Sequence, residues 1–186
     1  MLDECGIPHT LDEKSDDRFA DSVFKQLGAA TVDSLDASEY QGARIIADLN
    51  KPLAQEHACQ YDLVYDGGTL EHVFNVPQAL SNVMSLVRVG GDLMIHTMAN
   101  NWLGHGFYQF SPELFYRVLT PENGFSIVRV VAHAAYELAP WYEVPDPAAM
   151  VSRIEGASRW DGIQLMIHAR RVSDVPIFAR APQQSD

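Results

Sequence analysis

Between residues 61 and 98 the chain reads as strand, helix, strand, and this unit constrains the fold more than any other stretch. Residues 61–65, YDLVY, are apolar and β-prone and end at Asp66-Gly67-Gly68. Residues 76–88 then carry Val76, Leu80, Val83, Met84 and Val87 at helical spacing, with Pro77 where a first helical turn tolerates it. Gly90-Gly91 breaks the chain, and residues 92–98, DLMIHTM, follow as the next strand. Strands that alternate with helices predict a parallel α/β sheet.

The flanking segments extend the pattern. Residues 18–27 place Phe19, Val23 and Leu27 on one helical face, and Gly28 stands where a helix stops. A strand around Val32 and Leu35 ends at Asp36, and residues 43–47, ARIIA, form a second that ends at Asp48. Ser111-Pro112-Glu113 is a helix start, with Ser as cap and Pro at the first helical position, and predicts a helix over 111–119. Asn123-Gly124 is a turn, and residues 125–135 and 163–172 are strands. Between these two strands, 138–160 holds Pro140, Pro145 and Pro147, and reads as a lid-like insertion with a short helix near 147–154. With no full helix joining them, the two strands are expected as an antiparallel pair at the sheet edge. The domain plan is an acidic, poorly ordered 1–17, an α/β domain over 18–172, and a C-terminal tail over 173–186.

Composition narrows the function. The net charge of −12 and the absence of a basic cluster argue against nucleic acid as a partner. No apolar run reaches the roughly 18–20 residues of a membrane helix, so no membrane role is expected. The start of the chain is acidic and lacks the apolar core of a secretory signal, which makes the cytoplasm the expected compartment. Cys5 and Cys59 form no CxxC pair, and neither HxH nor HExxH spacing occurs, so no metal ligands are expected. A hydrolase elbow GxSxG and a phosphate loop GxxxxGK[ST] are also absent.

Asp36, Asp48 and Asp66 each close a strand, and in an open α/β sheet ligands bind beyond the carboxyl ends of the strands. Three such carboxylates would ring one crevice; alternatively, each simply starts a turn. The loop Asn100–Phe110 is rich in polar, aromatic and glycine residues, and suits substrate contact. Within it His105, between two glycines, and Tyr108 are candidates to orient or deprotonate a nucleophile. The alternative is a packed loop. His72, after Glu71, is a candidate base or a structural residue, and His96 and His168 read as half-buried strand residues.

The stretch YDLVYDGGTLEHVFNVPQALSNVMSLVRVGGDLMIHT resembles the middle of class I S-adenosylmethionine-dependent methyltransferases, with Leu70-Glu71-His72-Val73 and Gly90-Gly91 at family-like spacing. The resemblance covers roughly residues 19–135. It implies a Rossmann-like, mostly parallel sheet with helices on both faces and an antiparallel edge strand. It also implies S-adenosylmethionine as cofactor and methyl transfer, and the negative charge makes a small-molecule acceptor the expectation, with a protein partner as the alternative. It assigns Asp36 to the cofactor's ribose and Asp48 with Leu49 to the adenine. Asp66, Gly67, Gly68 and Thr69 would run under the methionine end, and Glu71 would lie beneath the cofactor. The sequence departs from the family at its opening strand and glycine-rich turn, which are not found before the helix at 18–27, so the first strand is expected to be missing. This leaves open an alternative, a catalytically inactive methyltransferase-like binding subunit. A nucleotide-dependent oxidoreductase is a weaker reading, since GxGxxG is absent. A sheet edge left open by a missing strand would suit a second copy of the chain, hence an expected homodimer.

Overall fold

The computed structural model describes residues 20–39, 42–135, 139–150 and 161–185. The expectations for 1–17, for the first strand and for residues 151–160 of the insertion lie outside these residues. The chain divides into two units, Met1–Asp48 and Leu49–Asp186.

In the first unit, α1 (Asp21–Gln26) ends as the sequence expects. Gly28 takes φ +101°, the Gly28 N–H donates to Lys25 O, and the Ala29 N–H reaches back to Phe24 O, both at 3.0 Å. This pair of bonds satisfies carbonyls that the helix end would otherwise leave without partners, and the left-handed turn is one that glycine adopts at no steric cost. Two short strands, β1 (Leu35–Asp36) and β2 (Ile45–Ile46), pair in parallel.

The second unit holds β3 (Tyr61–Asp66), α2 (Val76–Leu86), β4 (Val87–Asn100), α3 (Pro112–Val118), β5 (Phe125–Ala134), β6 (Trp141–Glu143) and β7 (Ile163–Arg171). Its sheet runs β3-β4-β7-β5-β6. The strand–helix–strand unit is present as expected: β3 and β4 are parallel and α2 packs against both. Along β4, Gly91, Leu93, Ile95 and Thr97 are buried, and along β7 Leu165, Ile167 and Ala169, the period of two that puts one face of a strand in the core. Leu80 and Met84 of α2 and Phe115 of α3 are also buried.

The protein is α/β, but parallel pairing is confined to β1–β2 and β3–β4 among the described strands, less than the sequence predicts. The reason lies in the connections. Among the described residues no α-helix stands between β5 and β7; the chain passes through β6, and every pairing these strands make is antiparallel. β7 sits inside the sheet between β4 and β5, and the outermost place falls to β6, a strand that its flanking prolines hide in the sequence. The helix expected near 147–154 is, where described, one 3₁₀ turn over Pro147–Ala149, capped by the Asp146 side chain accepting from the Ala148 N–H at 2.9 Å.

Gly90-Gly91 does not separate helix from strand. β4 starts at Val87 and runs through both glycines, with a register irregularity against β3 between Tyr61 and Leu63. A Cβ on Gly91 would lie 2.8 Å from the Asp62 carbonyl oxygen and 3.0 Å from that of Tyr61, so only glycine lets the backbones come this close.

Two buried polar side chains tie loops to this frame. Asn82 of α2 donates to the carbonyls of Leu49 (3.1 Å) and Lys51 (2.8 Å) and accepts from the Leu53 N–H at 3.2 Å. Arg171 of β7 donates to Val87 O at 2.6 Å and pairs with Asp174 at 2.7 Å. Residues 173–185 return to the body of the unit: the Phe178 N–H donates to Asn123 Oδ1 at 2.9 Å and the Ser185 N–H to Glu113 Oε1 at 2.7 Å. No helix among the described residues is long and apolar enough to cross a membrane.

Gly91→Ala is expected to destabilise the protein by about 1–3 kcal/mol, the usual cost of forcing extra volume into packed structure. Urea denaturation should show a lower midpoint at unchanged slope.

Candidate functional site

β3 delivers Asp66 to the carboxyl end of the parallel pair, where the chain turns sharply through Gly67 and Gly68. Gly68 takes φ +105°, and a Cβ there would meet Glu71 Oε1 at 3.1 Å. The Asp66 carboxylate is 5% exposed. One oxygen accepts from the Thr69 N–H at 3.0 Å, while Oδ2 has no hydrogen-bond partner. Burial pushes its pKa from 3.8 to about 6; the Thr69 N–H opposes the rise, and the nearby charge of Glu71 adds to it.

A 3₁₀ turn over Leu70–His72 then buries Leu70 and Glu71 and leaves His72 exposed. Glu71 is fully buried. Its Oε2 accepts from Thr97 Oγ1 of β4 at 2.7 Å, and Oε1 has no hydrogen-bond partner. Its backbone carbonyl accepts from the Phe107 N–H at 2.7 Å and the Tyr108 N–H at 3.2 Å. The loop after β4 is thereby drawn onto this turn. Gly106, at φ +70°, permits the approach, since a Cβ there would lie 2.7 Å from that same carbonyl oxygen.

The loop places His105 over the pair. Its Nε2 is 3.7 Å from Glu71 Oε1, and its ring meets His72 edge-on at 4.8 Å between centroids. Trp102 lies beside it at 5.5 Å and is itself fixed by its indole N–H donating to Ile163 O at 3.1 Å. The Tyr108 hydroxyl donates to Phe74 O at 2.9 Å, which anchors the loop to the segment after the 3₁₀ turn. Phe74, Leu103 and Phe107 are exposed apolar side chains in these same segments, and the two phenyl rings pack edge to face at 5.9 Å.

The structure thus gathers Asp66, Gly67, Gly68, Thr69 and Glu71 of the expected cofactor residues with His72, His105 and Tyr108 of the expected catalytic ones. Asp36 and Asp48 belong to the first unit. Asp36 Oδ1 accepts from the Ser38 N–H at 2.8 Å, the turn-forming arrangement that sequence reasoning held as the alternative. Leu49 is buried, its carbonyl held by Asn82.

Sequence reasoning missed Thr97 and Trp102. A hydroxyl on the buried face of an apolar strand is the signal that points to Thr97. His96 and His168 are half-buried strand residues, as expected. His168 pairs with Asp92 at 2.9 Å. His96 lies 3.2 Å from Gln164 and 3.4 Å from His133, and burial holds its imidazole below the usual range. Trp141 of the insertion stacks on His133 at 4.3 Å between centroids.

No family model matches the chain, and no curated protein does. The solved structures similar to it include the following three. One is the CurJ carbon methyltransferase, at 18% identity and TM-score 0.43, over 74% of this chain and 38% of that one. The second is a protein of Bacillus halodurans C-125 with a provisional methyltransferase name, at 11% identity and TM-score 0.47, over 83% and 87%. The third is the antibiotic-resistance methyltransferase Kmr, at 14% identity and TM-score 0.36, over 70% and 62%. This chain spans well under half of the first.

The raised pKa of Asp66 sets a pH dependence. The folded protein keeps this proton up to about pH 6 and the unfolded chain only to 3.8, so the folded state binds more protons between those values. Stability from this group therefore falls as pH rises from about 4 to about 6. Relative to the parent protein, Asp66→Asn should be more stable at pH 7.5 than at pH 4 by about 1–3 kcal/mol. Paired urea titrations at the two pH values check it, and a pH-independent difference would count against a buried, raised carboxyl.

Proposed function

We propose that the chain binds S-adenosylmethionine and transfers its methyl group to a small-molecule acceptor. The observation that carries this reading is the Asp66 carboxylate, buried at the end of a parallel strand with one oxygen lacking a donor. The methionine end of the cofactor bears an ammonium group, which is a donor for such an oxygen. Gly67 and Gly68 follow at once and keep the turn free of side chains. The residues at this end of the site therefore fit the group.

When bound, the cofactor supplies a methyl group activated by its sulfonium charge. What remains for the chain is to hold the acceptor and, where the acceptor arrives protonated, to take its proton. His105, half-buried on a loop pinned to Glu71, is the imidazole that can accept it when its ring holds no metal ion. The Tyr108 hydroxyl already gives its proton to Phe74 O, so its part is to hold the loop. Exposed Phe74, Leu103 and Phe107 suit an acceptor with an apolar body.

Calorimetric titration with S-adenosylhomocysteine tests the cofactor half of this reading without turnover. Saturable binding is expected, with Asp66→Ala weakening it at least tenfold. A flat titration at millimolar ligand rejects the reading.

A further inference from the structure

Glu71 Oε1 is a carboxylate oxygen sealed from water, without a hydrogen bond, and close to the imidazoles of His72 and His105. The His105 Nε2 separation of 3.7 Å is too long for a hydrogen bond. It is close to the spacing of two ligands on one cation: donors about 2.0–2.2 Å from a metal, at angles between square and tetrahedral, stand about 3–3.5 Å apart. One donor atom from each of Glu71, His72 and His105 lies within 4.8 Å of the others. His72 is exposed, so its ring is free to turn and close the remaining gap.

We propose that Glu71, His72 and His105 form a binding site for a first-row divalent transition-metal ion. Two imidazole nitrogens and one carboxylate suit manganese, iron, cobalt, nickel or zinc, whereas calcium and magnesium favour all-oxygen sites. The surroundings of the triad are those a metal ligand requires. Thr97 Oγ1 holds the second carboxylate oxygen at 2.7 Å, so the carboxylate keeps its orientation. The Glu71 carbonyl holds the backbone of Phe107 and Tyr108, and so fixes the loop that carries His105. A cation supplies the partner that Oε1 lacks, relieving the cost of a buried unsatisfied group. With three protein ligands and one of them exposed, coordination positions remain for water or for an oxygen of a bound ligand, the arrangement of a reactive rather than a purely structural site. No spacing motif announces it, because His105 is contributed by a loop 34 residues after Glu71.

The site stands apart from the cofactor reading and is tested with metal alone. Untagged, chelator-treated full-length protein is titrated with cobalt(II), followed by its visible absorption bands and by calorimetry. One equivalent should bind, and His72→Ala and His105→Ala should each weaken binding at least tenfold. Both positions are outside the core, and far-ultraviolet circular dichroism confirms that the variants fold. Glu71→Gln should weaken binding at least as much, while His133→Ala, which removes half of the His96–His133 pair, should leave it unchanged. Absence of binding at millimolar cobalt overturns the proposal. So does binding that survives both His72→Ala and His105→Ala, or that is lost with His133→Ala. None of these outcomes bears on S-adenosylhomocysteine binding, so the two readings fail separately.

Discussion

A carboxylate shut away from water must find partners for both its oxygens, and Glu71 has found them for only one. Its side chain is bound to Thr97 of β4 and its carbonyl to the backbone of two loop residues, so a single position joins the turn after β3, the buried face of β4 and the loop after β4. Removing the carboxylate would leave the Thr97 hydroxyl without an acceptor in the core, and displacing the carbonyl would release the segment that carries His105. The arrangement of the site therefore rests on one residue whose own hydrogen bonding is incomplete. Such residues are costly for a fold and are kept where something else completes them.

The glycines give this constraint its geometry. Gly68 and Gly106 approach Glu71 from two directions, one toward its side-chain oxygen and one toward its carbonyl, and both take left-handed backbone conformations. Adding a methyl group to either would press on the same residue. Gly91 does comparable work farther back, letting β4 lie against β3 close enough to hold the parallel pair on which Asp66 is mounted.

Much of this was legible in the sequence, and what escaped did so for physical reasons. The strand–helix–strand unit was readable because α2 has a strong apolar period and β3 ends in Asp66-Gly67-Gly68. The capping serine of α3 was readable because Ser111 and Pro112 act within one turn; the Ser111 hydroxyl oxygen accepts from the Glu113 N–H at 3.2 Å. The place of β7 was not, because nothing local to residues 163–171 says whether that strand goes inside the sheet or at its margin. The convergence of His105 on Glu71 and His72 was hidden for the same reason: the loop is placed by hydrogen bonds to a backbone carbonyl, and carbonyls are common to every residue. Gly90-Gly91 misled in the opposite way, since a glycine pair marks a break or a close backbone approach equally well until the neighbouring strand is known.

β6 has only three residues, Trp141 to Glu143, and stands between Pro140 and Pro145 at the end of the strand order. Proline has no N–H to offer a neighbouring strand, so backbone pairing beyond this margin is limited to a span too short to hold another chain. Glu143 adds a charge within those three residues, and its ion pair with Arg129 of β5 at 2.6 Å keeps the short strand in register. On this side the sheet therefore offers little free backbone to a further strand, whether from this chain or another copy.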